Sequence, residues 1–531
     1  MSDETTTDET ATAETATADT TTTETTAGTT AVDTAQAGQA PAEASATASS
    51  MPAPATKDPR LPRLTQVPAF RDFMATGWGT PDRTPPTVDG VAAASAQHRE
   101  RLSGAFPGRT LVLAAGRAPV RSNDAYYEFR PDSNFFWLTG CTAEDAVVVL
   151  FARGSGHDAV LYVPAPAYPG ETGFFADAAH GELWVGSAPG FGEWAEALEV
   201  TVRDLASLDS DLARERDVLA TVAGAHVHEA LTGVPASAAL WQTLSELRMI
   251  KDDWELGQLR HAIDATVGGF EAVIGQFDQA IAGGGERWLQ GTFDRHARTH
   301  GNGVGYSTIV GSGAHAPTLH WVRCDGDVNE GEAILLDMGV EARSFYTADV
   351  TRTFPVSGTW SPEQRAVHDL VERSHRAGLA AVGPGRAWTD FHTAAMEVIA
   401  RGLDDWGLLP VSVDEALSAE GQHHRRYLVC GIGHHLGLDV HDCARSSYEA
   451  YQGSTMQAGM VLTVEPGLYF HAFDETVPPE LRGIGVRLED DILVTPSGSD
   501  VLSEALPIDA SGIEEWMRRH RVAPTGSRTA G

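Results

Sequence analysis

The sequence has few cysteines, no long apolar run and no targeting segment. The four cysteines, Cys141, Cys324, Cys430 and Cys443, are scattered over 531 residues, so they form neither a disulfide framework nor a Cys-x-x-Cys motif. No stretch reaches the roughly 18 apolar residues that a transmembrane helix needs, and the first residues have neither the basic nor the apolar region of a secretory signal. These absences predict free thiols, no membrane association and a cytoplasmic location.

Basic residues are scarce as well. Lys and Arg number 38 against 73 Asp and Glu, which gives a formal net charge of -35 at pH 7. Because nucleic-acid backbones are bound by basic surfaces, this charge argues against a nucleic-acid partner. Residues 1–56 contain nine acidic residues and no Lys, Arg or aromatic residue. Such a segment cannot bury enough apolar surface to offset the entropy of ordering its backbone, so we expect a disordered, Thr/Ala-rich acidic tail there.

The rest of the chain has the composition of a globular protein. Its hydrophobic content is 42%, and its length predicts more than one domain. Short apolar runs at 110–115, 146–151 and 158–163 have the length of buried strands and are separated by Gly and Pro. They predict an α/β amino-terminal domain.

The pattern changes near residue 245. Acidic residues at 252, 253 and 255 precede Leu256, Leu259 and Ile263, which have helical spacing. Beyond them, strand-like runs alternate with helical stretches at 362–382 and 388–405, which is typical of an α+β domain. The sequence therefore predicts four segments: the tail (1–56), an amino-terminal domain (57–245), an α+β domain (246–515) and a basic, flexible tail (516–531).

Five residues that can bind metal lie in separate short motifs of the α+β domain. They are Asp337 in LLDMG, Asp349 in DVTRTFP, His434 in GHHLGLDVH, Glu465 in TVEPG and Glu489 in VRLED. Four carboxylates and one imidazole in one pocket would repel one another strongly without cations. Two divalent ions would neutralise the four negative charges, so the motifs predict a dinuclear metal site of a hydrolase.

Each motif alone also has a simpler interpretation. Asp337 before Gly339 is typical of a turn, Asp349 of an edge strand, and the two glutamates of solvated strand ends. His434 and His441 are seven residues apart, so in a straight strand they would face opposite sides. The glycines around them permit the irregular backbone that would bring both rings to one pocket.

In this order, the five motifs resemble those of the pita-bread metallopeptidases, which include methionine aminopeptidase, prolidase and aminopeptidase P. The upstream sequence RPDSNFFWLTG, residues 130–140, resembles the amino-terminal domain that aminopeptidase P shares with prolidase. Methionine aminopeptidase lacks that domain and is disfavoured. The resemblance implies an aminopeptidase P-type domain over 57–245 and, over 246–515, a curved antiparallel sheet backed by helices with an internal pseudo-twofold.

The resemblance also implies a role for each predicted ligand. Asp337 would be a terminal ligand, Asp349 and Glu489 would bridge two ions, and His434 and Glu465 would bind the same ion. Oxygen ligands with one imidazole suit Mn²⁺, Co²⁺ or Fe²⁺, and Mn²⁺ is the metal we expect. The implied nucleophile is a hydroxide shared by both ions, with Glu465 relaying its proton to the departing amine.

Three further residues have implied roles beside the metals. His320 and His441 would face the substrate and stabilise the tetrahedral intermediate. Arg487 lies two residues before Glu489, on the same strand face, and would steady the bridging carboxylates. The neighbouring Asp490 and Asp491 are interpreted as either solvated or structural.

One position departs from the family pattern. Cys430 stands where aminopeptidase P usually has a histidine near the proline side of the substrate, which puts recognition of the leaving side in doubt. His423 and His424 are the nearby candidates to replace it. The Asp337–Asp349 interval is also one residue longer than usual, which predicts a loop insertion around 343–346.

The substrates that the resemblance implies are peptides with proline in second position. The alternative within the fold is prolidase, which acts on Xaa-Pro dipeptides. A creatinase-like relative is disfavoured because such members have lost the metal ligands, and a non-catalytic binding module would need no metal. Family relatives are dimers or tetramers, so we expect a homo-oligomer.

Overall fold

The computed structural model describes residues 62–222 and 233–521. The predicted acidic tail, 1–56, lies outside the described residues. The helices are α1 (Pro68–Met74), α2 (Val91–Ala105), α3 (Ser133–Thr139), α4 (Gly173–Ala176), α5 (Glu182–Val185), α6 (Phe191–Leu198), α7 (Leu208–Leu212), α8 (Ala238–Arg248), α9 (Asp253–Ile274), α10 (Phe277–Gln279), α11 (Gly285–His300), α12 (Pro362–Ala380), α13 (Asp390–Asp405), α14 (Val413–Leu417) and α15 (Ala510–His520).

The strands are mostly short, and several follow one another without an intervening α-helix. They are β1 (Thr110–Ala114), β2 (Val120–Ser122), β3 (Ala125–Tyr126), β4 (Val147–Arg153), β5 (Gly156–Val163), β6 (Thr201–Asp204), β7 (Val218–Ala220), β8 (Gly303–Val304), β9 (Ile309–Ser312), β10 (Ala333–Met338), β11 (Val340–Glu341), β12 (Val350–Pro355), β13 (Val461–Val464), β14 (Gly467–Tyr469), β15 (Gly485–Arg487), β16 (Asp490–Thr495) and β17 (Gly498–Val501). Among the described helices, none is long and apolar enough to cross a membrane.

The amino-terminal domain is built on a five-stranded sheet in the order β6-β5-β4-β1-β7. The three strands that the apolar runs predict are β1, β4 and β5, and they pair antiparallel in the centre, whereas β6 and β7 pair in parallel at the edges. Alternate residues of β1 enter two cores. Leu111 and Leu113 pack towards α2, α3 and α8, and Val112 packs towards α7 on the opposite face.

The α+β domain is confirmed, and its strand pairs are all antiparallel. Helix α9 begins at a capping box in which Asp252 accepts from Glu255 N and Glu255 accepts from Asp252 N, both at 2.9 Å. Helices α9 and α11 pack over β9, β10 and β12, while α12 and α13 pack over β13 to β16. The two helix pairs thus leave the strand ends between them free to carry polar residues.

The junction between the two domains is part of a shared core. Helix α8 continues through the predicted boundary at 245, so the linker is only the segment 249–252. Phe136 of α3 packs edge-on against Phe345 of the α+β domain, with ring centroids 4.8 Å apart, and Leu436 and Leu438 join the same cluster. The one-residue insertion predicted around 343–346 thus falls where the domains meet.

The carboxy-terminal helix corrects the prediction of a flexible tail from residue 516. Trp516 and Met517 are 3% and 1% exposed, and the Trp516 ring stacks on Phe354 at 5.9 Å. The prediction rested on the basic residues after 517, but apolar residues at 510, 513, 516 and 517 form one helical face. Basic residues in the last turn also favour a helix end electrostatically. Residues 522–531 lie outside the described part of the chain.

Candidate metal centre and active site

The five predicted metal ligands meet at the ends of neighbouring strands. Asp337 belongs to β10, Asp349 directly precedes β12, Glu465 follows β13, and Glu489 lies between β15 and β16. Thr463 N of β13 donates to His434 O at 3.0 Å, which ties the glycine-rich histidine motif to the same strand. Antiparallel pairing places Asp337 opposite Thr351 on β12, so sequence-distant motifs converge.

Asp349, His434 and Glu489 are close enough together to bind one cation. The His434 Nε2 atom lies 3.4 Å from Asp349 Oδ2 and 3.5 Å from Glu465 Oε1. Asp349, His434 and Glu489 each place one potential ligand atom within 4.8 Å of the others. The irregular backbone expected from the glycines therefore does turn the imidazole towards the carboxylates.

Arg487 connects Asp337 to the other carboxylates. Its Nη2 atom donates to Asp337 Oδ2, and its Nε atom donates to Thr351 Oγ1 at 3.1 Å. The Thr351 hydroxyl in turn donates to Glu489 Oε2 at 2.6 Å. The sequence predicted that Arg487 steadies the bridging carboxylates; its direct carboxylate contact is with Asp337, and it reaches Glu489 through Thr351.

Three polar residues around the ligands were missed by the sequence analysis. Tyr306 donates from its hydroxyl to Asp337 Oδ1 at 2.6 Å, and Tyr469 accepts from Arg487 Nη1 at 2.9 Å. Thr351 is the third, and it is fully buried on β12. These residues belong to other chain segments than the side chains they contact, so no local spacing marks them.

Burial and mutual repulsion disfavour the charged carboxylates. Burial and the charge of Asp349 raise the pKa of Asp337 and raise that of Glu489 well above its usual range. Burial likewise raises the pKa of Glu465 to about 7, although His434 opposes the shift. Burial lowers the pKa of His434, but its hydrogen bond to Asp349 and the charge of Glu465 outweigh this and raise the pKa to about 9.

These shifts show what the cluster needs. One arginine and one imidazole leave four closely spaced carboxyl groups incompletely neutralised, and the raised pKa values of Asp337, Glu465 and Glu489 mean that these three hold a proton more tightly than in water. A divalent cation replaces those protons and keeps the ligands ionised. The donor set of carboxylate oxygens with one imidazole thus fits divalent metal.

The two predicted substrate-facing histidines lie beside the cluster. The rings of His434 and His441 meet edge-on, with centroids 4.4 Å apart. His441 is exposed as a residue, but desolvation of its imidazole and the charge of His434 lower its pKa to about 4. The charge of His320 acts in the same direction, and His320 is itself exposed. At neutral pH the His441 ring is therefore neutral.

His424 does not replace the histidine that relatives have at the position of Cys430, because its own imidazole is buried elsewhere. Burial raises the pKa of the partly buried Cys430 thiol to about 11, and the charge of Glu465 adds to the shift. His424 is buried and its Nδ1 atom lies 2.7 Å from Ala416 O. The thiol next to Glu465 is thus uncharged at neutral pH.

Asp490 and Asp491 are structural rather than solvated. Both are buried. Asp490 Oδ1 accepts from Arg352 Nη2 and from Ser503 Oγ, each at 2.6 Å. Asp491 Oδ2 accepts from the backbone N–H of Asp349 at 3.2 Å, so it supports the strand end that presents a predicted ligand.

Comparison with known proteins identifies the family. Residues 257–496 match the model of metallopeptidase family M24, and residues 95–219 match that of the aminopeptidase P amino-terminal domain. Xaa-Pro aminopeptidase 2 of Streptomyces coelicolor is 45% identical over 453 residues, which cover 84% of this chain and 95% of that protein. The chain belongs to the aminopeptidase P family.

Solved structures of the aminopeptidase P family have the same fold. Aminopeptidase P of Escherichia coli with the inhibitor Pro-Leu superposes with a TM-score of 0.72 at 28% identity, covering 81% of this chain and 98% of that one. A zinc-substituted form of the E. coli enzyme with product gives the same TM-score at 27% identity, covering 81% of this chain and 99% of that one. Membership makes the chain a metal-dependent peptidase with the pita-bread fold.

Proposed function

We propose that this protein is an Xaa-Pro aminopeptidase, which releases the first residue from peptides whose second residue is proline. The observation that carries the proposal is the convergence of the whole predicted ligand set in one site, next to two histidines. The names of the aminopeptidase P relatives supply the substrate class. The proposed cofactor is two divalent ions, with Mn²⁺ as the first candidate.

The proposed metal ligands are Asp337, Asp349, His434, Glu465 and Glu489. Two divalent ions balance the four carboxylate charges of this set. When bound, such ions supply Lewis acidity and lower the pKa of water towards neutrality. The contacts of Arg487, Thr351 and Tyr306 hold the carboxylates in place for this purpose.

Three side chains beside the proposed metal site would bind the peptide, stabilise the developing negative charge and transfer a proton. His320 lies exposed beside the cluster, where its imidazole would donate to the carbonyl oxygen as negative charge develops. His441, neutral at neutral pH, would hydrogen-bond the peptide next to the scissile bond. Glu465, which faces His434 and is partly exposed, would carry a proton to the departing amine.

Prolidase activity is the second candidate, because Cys430 alters the leaving side of the site. The two activities differ in the length of the peptide they accept. We would measure release of the first residue from Xaa-Pro dipeptides, tripeptides and longer peptides, with Mn²⁺ and with a chelator. Cleavage of the longer peptides that the chelator abolishes supports the aminopeptidase, and activity confined to dipeptides supports prolidase.

Variants test the ligand set directly. Asp349→Ala and Glu489→Ala should each abolish turnover, whereas Asp500→Ala, at an exposed carboxylate of β17, should retain it. Near-normal turnover of either ligand variant with added Mn²⁺ would refute the assigned site.

The proposal extends to assembly and location. Exposed aromatic residues of the amino-terminal domain form an apolar patch around Phe174 and Phe175: the Trp78 ring packs on Phe174 with centroids 4.9 Å apart, and Trp184 Nε1 donates to Phe175 O at 2.9 Å. Trp78 and Trp184 are 46% and 61% exposed, and Phe73 of α1 is 76% exposed. Apolar patches of this kind favour association, here with a second copy, as a dimer or tetramer. Trp184→Glu should lower the mass measured by light scattering; an unchanged mass would refute this surface. The four free thiols are compatible with a cytoplasmic location.

A further inference from the structure

The two functional histidines sit at the base of a tight loop. Asp442 N donates to His435 O at 2.8 Å, which closes residues 435–442 into a loop. His434 and His441 directly precede the two residues that this hydrogen bond joins. The separation of their rings is therefore set where the loop closes.

Asp442, whose backbone N–H closes the loop, has a buried carboxylate that is held by two cations. Asp442 is 1% exposed. Its Oδ1 atom accepts from Arg248 Nη2, and its Oδ2 atom accepts from Lys251 Nζ at 3.0 Å. Both cations are buried; Arg248 is the last residue of α8, and Lys251 lies in the linker between the domains. The Asp442 carboxylate lies against Gly437, where the structure leaves no room for a Cβ atom.

The amino-terminal domain holds the same loop from the other side. Arg130 Nη2 donates to Leu438 O at 2.5 Å, and Ser133 Oγ donates to Asp439 Oδ1 at 2.6 Å. Arg248 joins the two sets of contacts, because it donates to Asn134 Oδ1 at 2.9 Å and to Asp439 Oδ2 at 2.8 Å. The loop is thus clamped by segments far from it in sequence.

We propose that Asp442, through Arg248 and Lys251, is a positioning residue that sets His441 against the substrate. The inference rests on the proposed function for the role of His441. It also links the motif at 130–140 to catalysis, because Arg130 and Ser133 of that motif hydrogen-bond the same loop. Removing the carboxylate leaves two buried cations short of a partner, so the loop loses its anchor while the metal ligands on the strands keep theirs.

A double-mutant cycle tests this coupling. Asp442→Asn preserves the shape of the side chain and should lower kcat/KM by about tenfold, the usual effect of losing a supporting partner. In the His441→Ala background the same substitution should have little further effect, because coupled residues are non-additive. An equal loss in both backgrounds, or wild-type kcat/KM in Asp442→Asn, would overturn the proposal.

The matched control is Glu182→Gln in the amino-terminal domain. Glu182 is a buried carboxylate that accepts from Arg83 at 2.6 and 2.8 Å, away from the loop. We expect it to lower thermal stability without lowering kcat/KM.

A second readout does not depend on activity. Amide hydrogen exchange of residues 434–442 should be faster in Asp442→Asn than in the wild type and unchanged in Glu182→Gln. Unchanged exchange in Asp442→Asn would refute the anchoring role, whereas faster exchange in a protein without Xaa-Pro activity would refute only the proposed function.

Discussion

The Thr351 hydroxyl connects Arg487 to Glu489 by two hydrogen bonds, and its removal should weaken metal binding. In Thr351→Val the shape of the buried side chain is kept, but Glu489 loses a donor at 2.6 Å and Arg487 loses an acceptor at 3.1 Å. A hydrogen bond to a charged group contributes about 1.5–3 kcal/mol. Part of the loss is recovered when the carboxylate binds metal, so we expect the net effect to be near one such bond.

That magnitude converts directly into affinity. Since about 1.4 kcal/mol is a tenfold change, Thr351→Val should bind Mn²⁺ about 10- to 100-fold more weakly, the range found for supporting partners of metal ligands. The measurement is equilibrium titration of chelator-stripped protein with Mn²⁺. It separates metal affinity from turnover, which a kinetic assay alone would not.

Thr353→Val is the matched control. Thr353 lies two residues along β12 on the same face and is equally buried. Its hydroxyl donates to Arg487 O at 3.1 Å and accepts from Arg487 N at 3.2 Å, both backbone atoms. It should cost stability without a comparable loss of metal affinity. Equal Mn²⁺ affinities for the two variants would refute the idea that Thr351 supports the ligands.

Three further predictions follow from the structure. Cys430→His should lower KM for tripeptides with little change in kcat, because an imidazole adds a donor on the leaving side; identical constants would show that position 430 does not contact substrate. Between pH 7 and 9 the melting temperature of the chelated protein should fall more than that of the Mn²⁺-loaded protein. The pKa of His434 is raised to about 9, so protonation of this ring stabilises the folded state fully below pH 6.5. That stabilisation is lost as the pH rises through 9. His98, also near 9, affects both forms alike, and an equal loss in both would contradict the shift. Trp516→Ala should destabilise the protein by about 3–5 kcal/mol in denaturant unfolding, with exposed Arg518→Ala as control; no change would mean that α15 adds nothing to the core.

Local patterns predicted the parts of the fold that depend on local chemistry. The apolar runs of β1, β4 and β5 and the capping residues of α9 carry their own signals, because burial and capping act within a few residues. The carboxy-terminal helix shows how one signal hid another. The charges after Met517 indicated a tail, although the spacing of Ile513 and Trp516 already indicated a buried face.

In the candidate site, too, some residues have a local sequence signal and others are identified only by contacts in the folded chain. The five motifs proposed to bind metal stand out in the sequence because each combines a charged residue with an apolar strand or a glycine. Tyr306 and Thr351 were not, because their partners lie on other strands and the contact exists only after the sheet forms. The sequence predicted that Arg487 lies on the same strand face as Glu489, but in the structure Arg487 contacts Asp337 directly and reaches Glu489 through Thr351.

The shared core between the domains bears on how this protein can be divided and recombined. Phe136 and Phe345 pack across the junction, and the histidine loop takes hydrogen bonds from Arg130 and Ser133. A fragment cut at the boundary between the two family models would expose these rings and lose those donors. The two domains therefore depend on each other structurally. In a chimeric protein, the α+β domain would keep these contacts only if it were fused to its own amino-terminal domain.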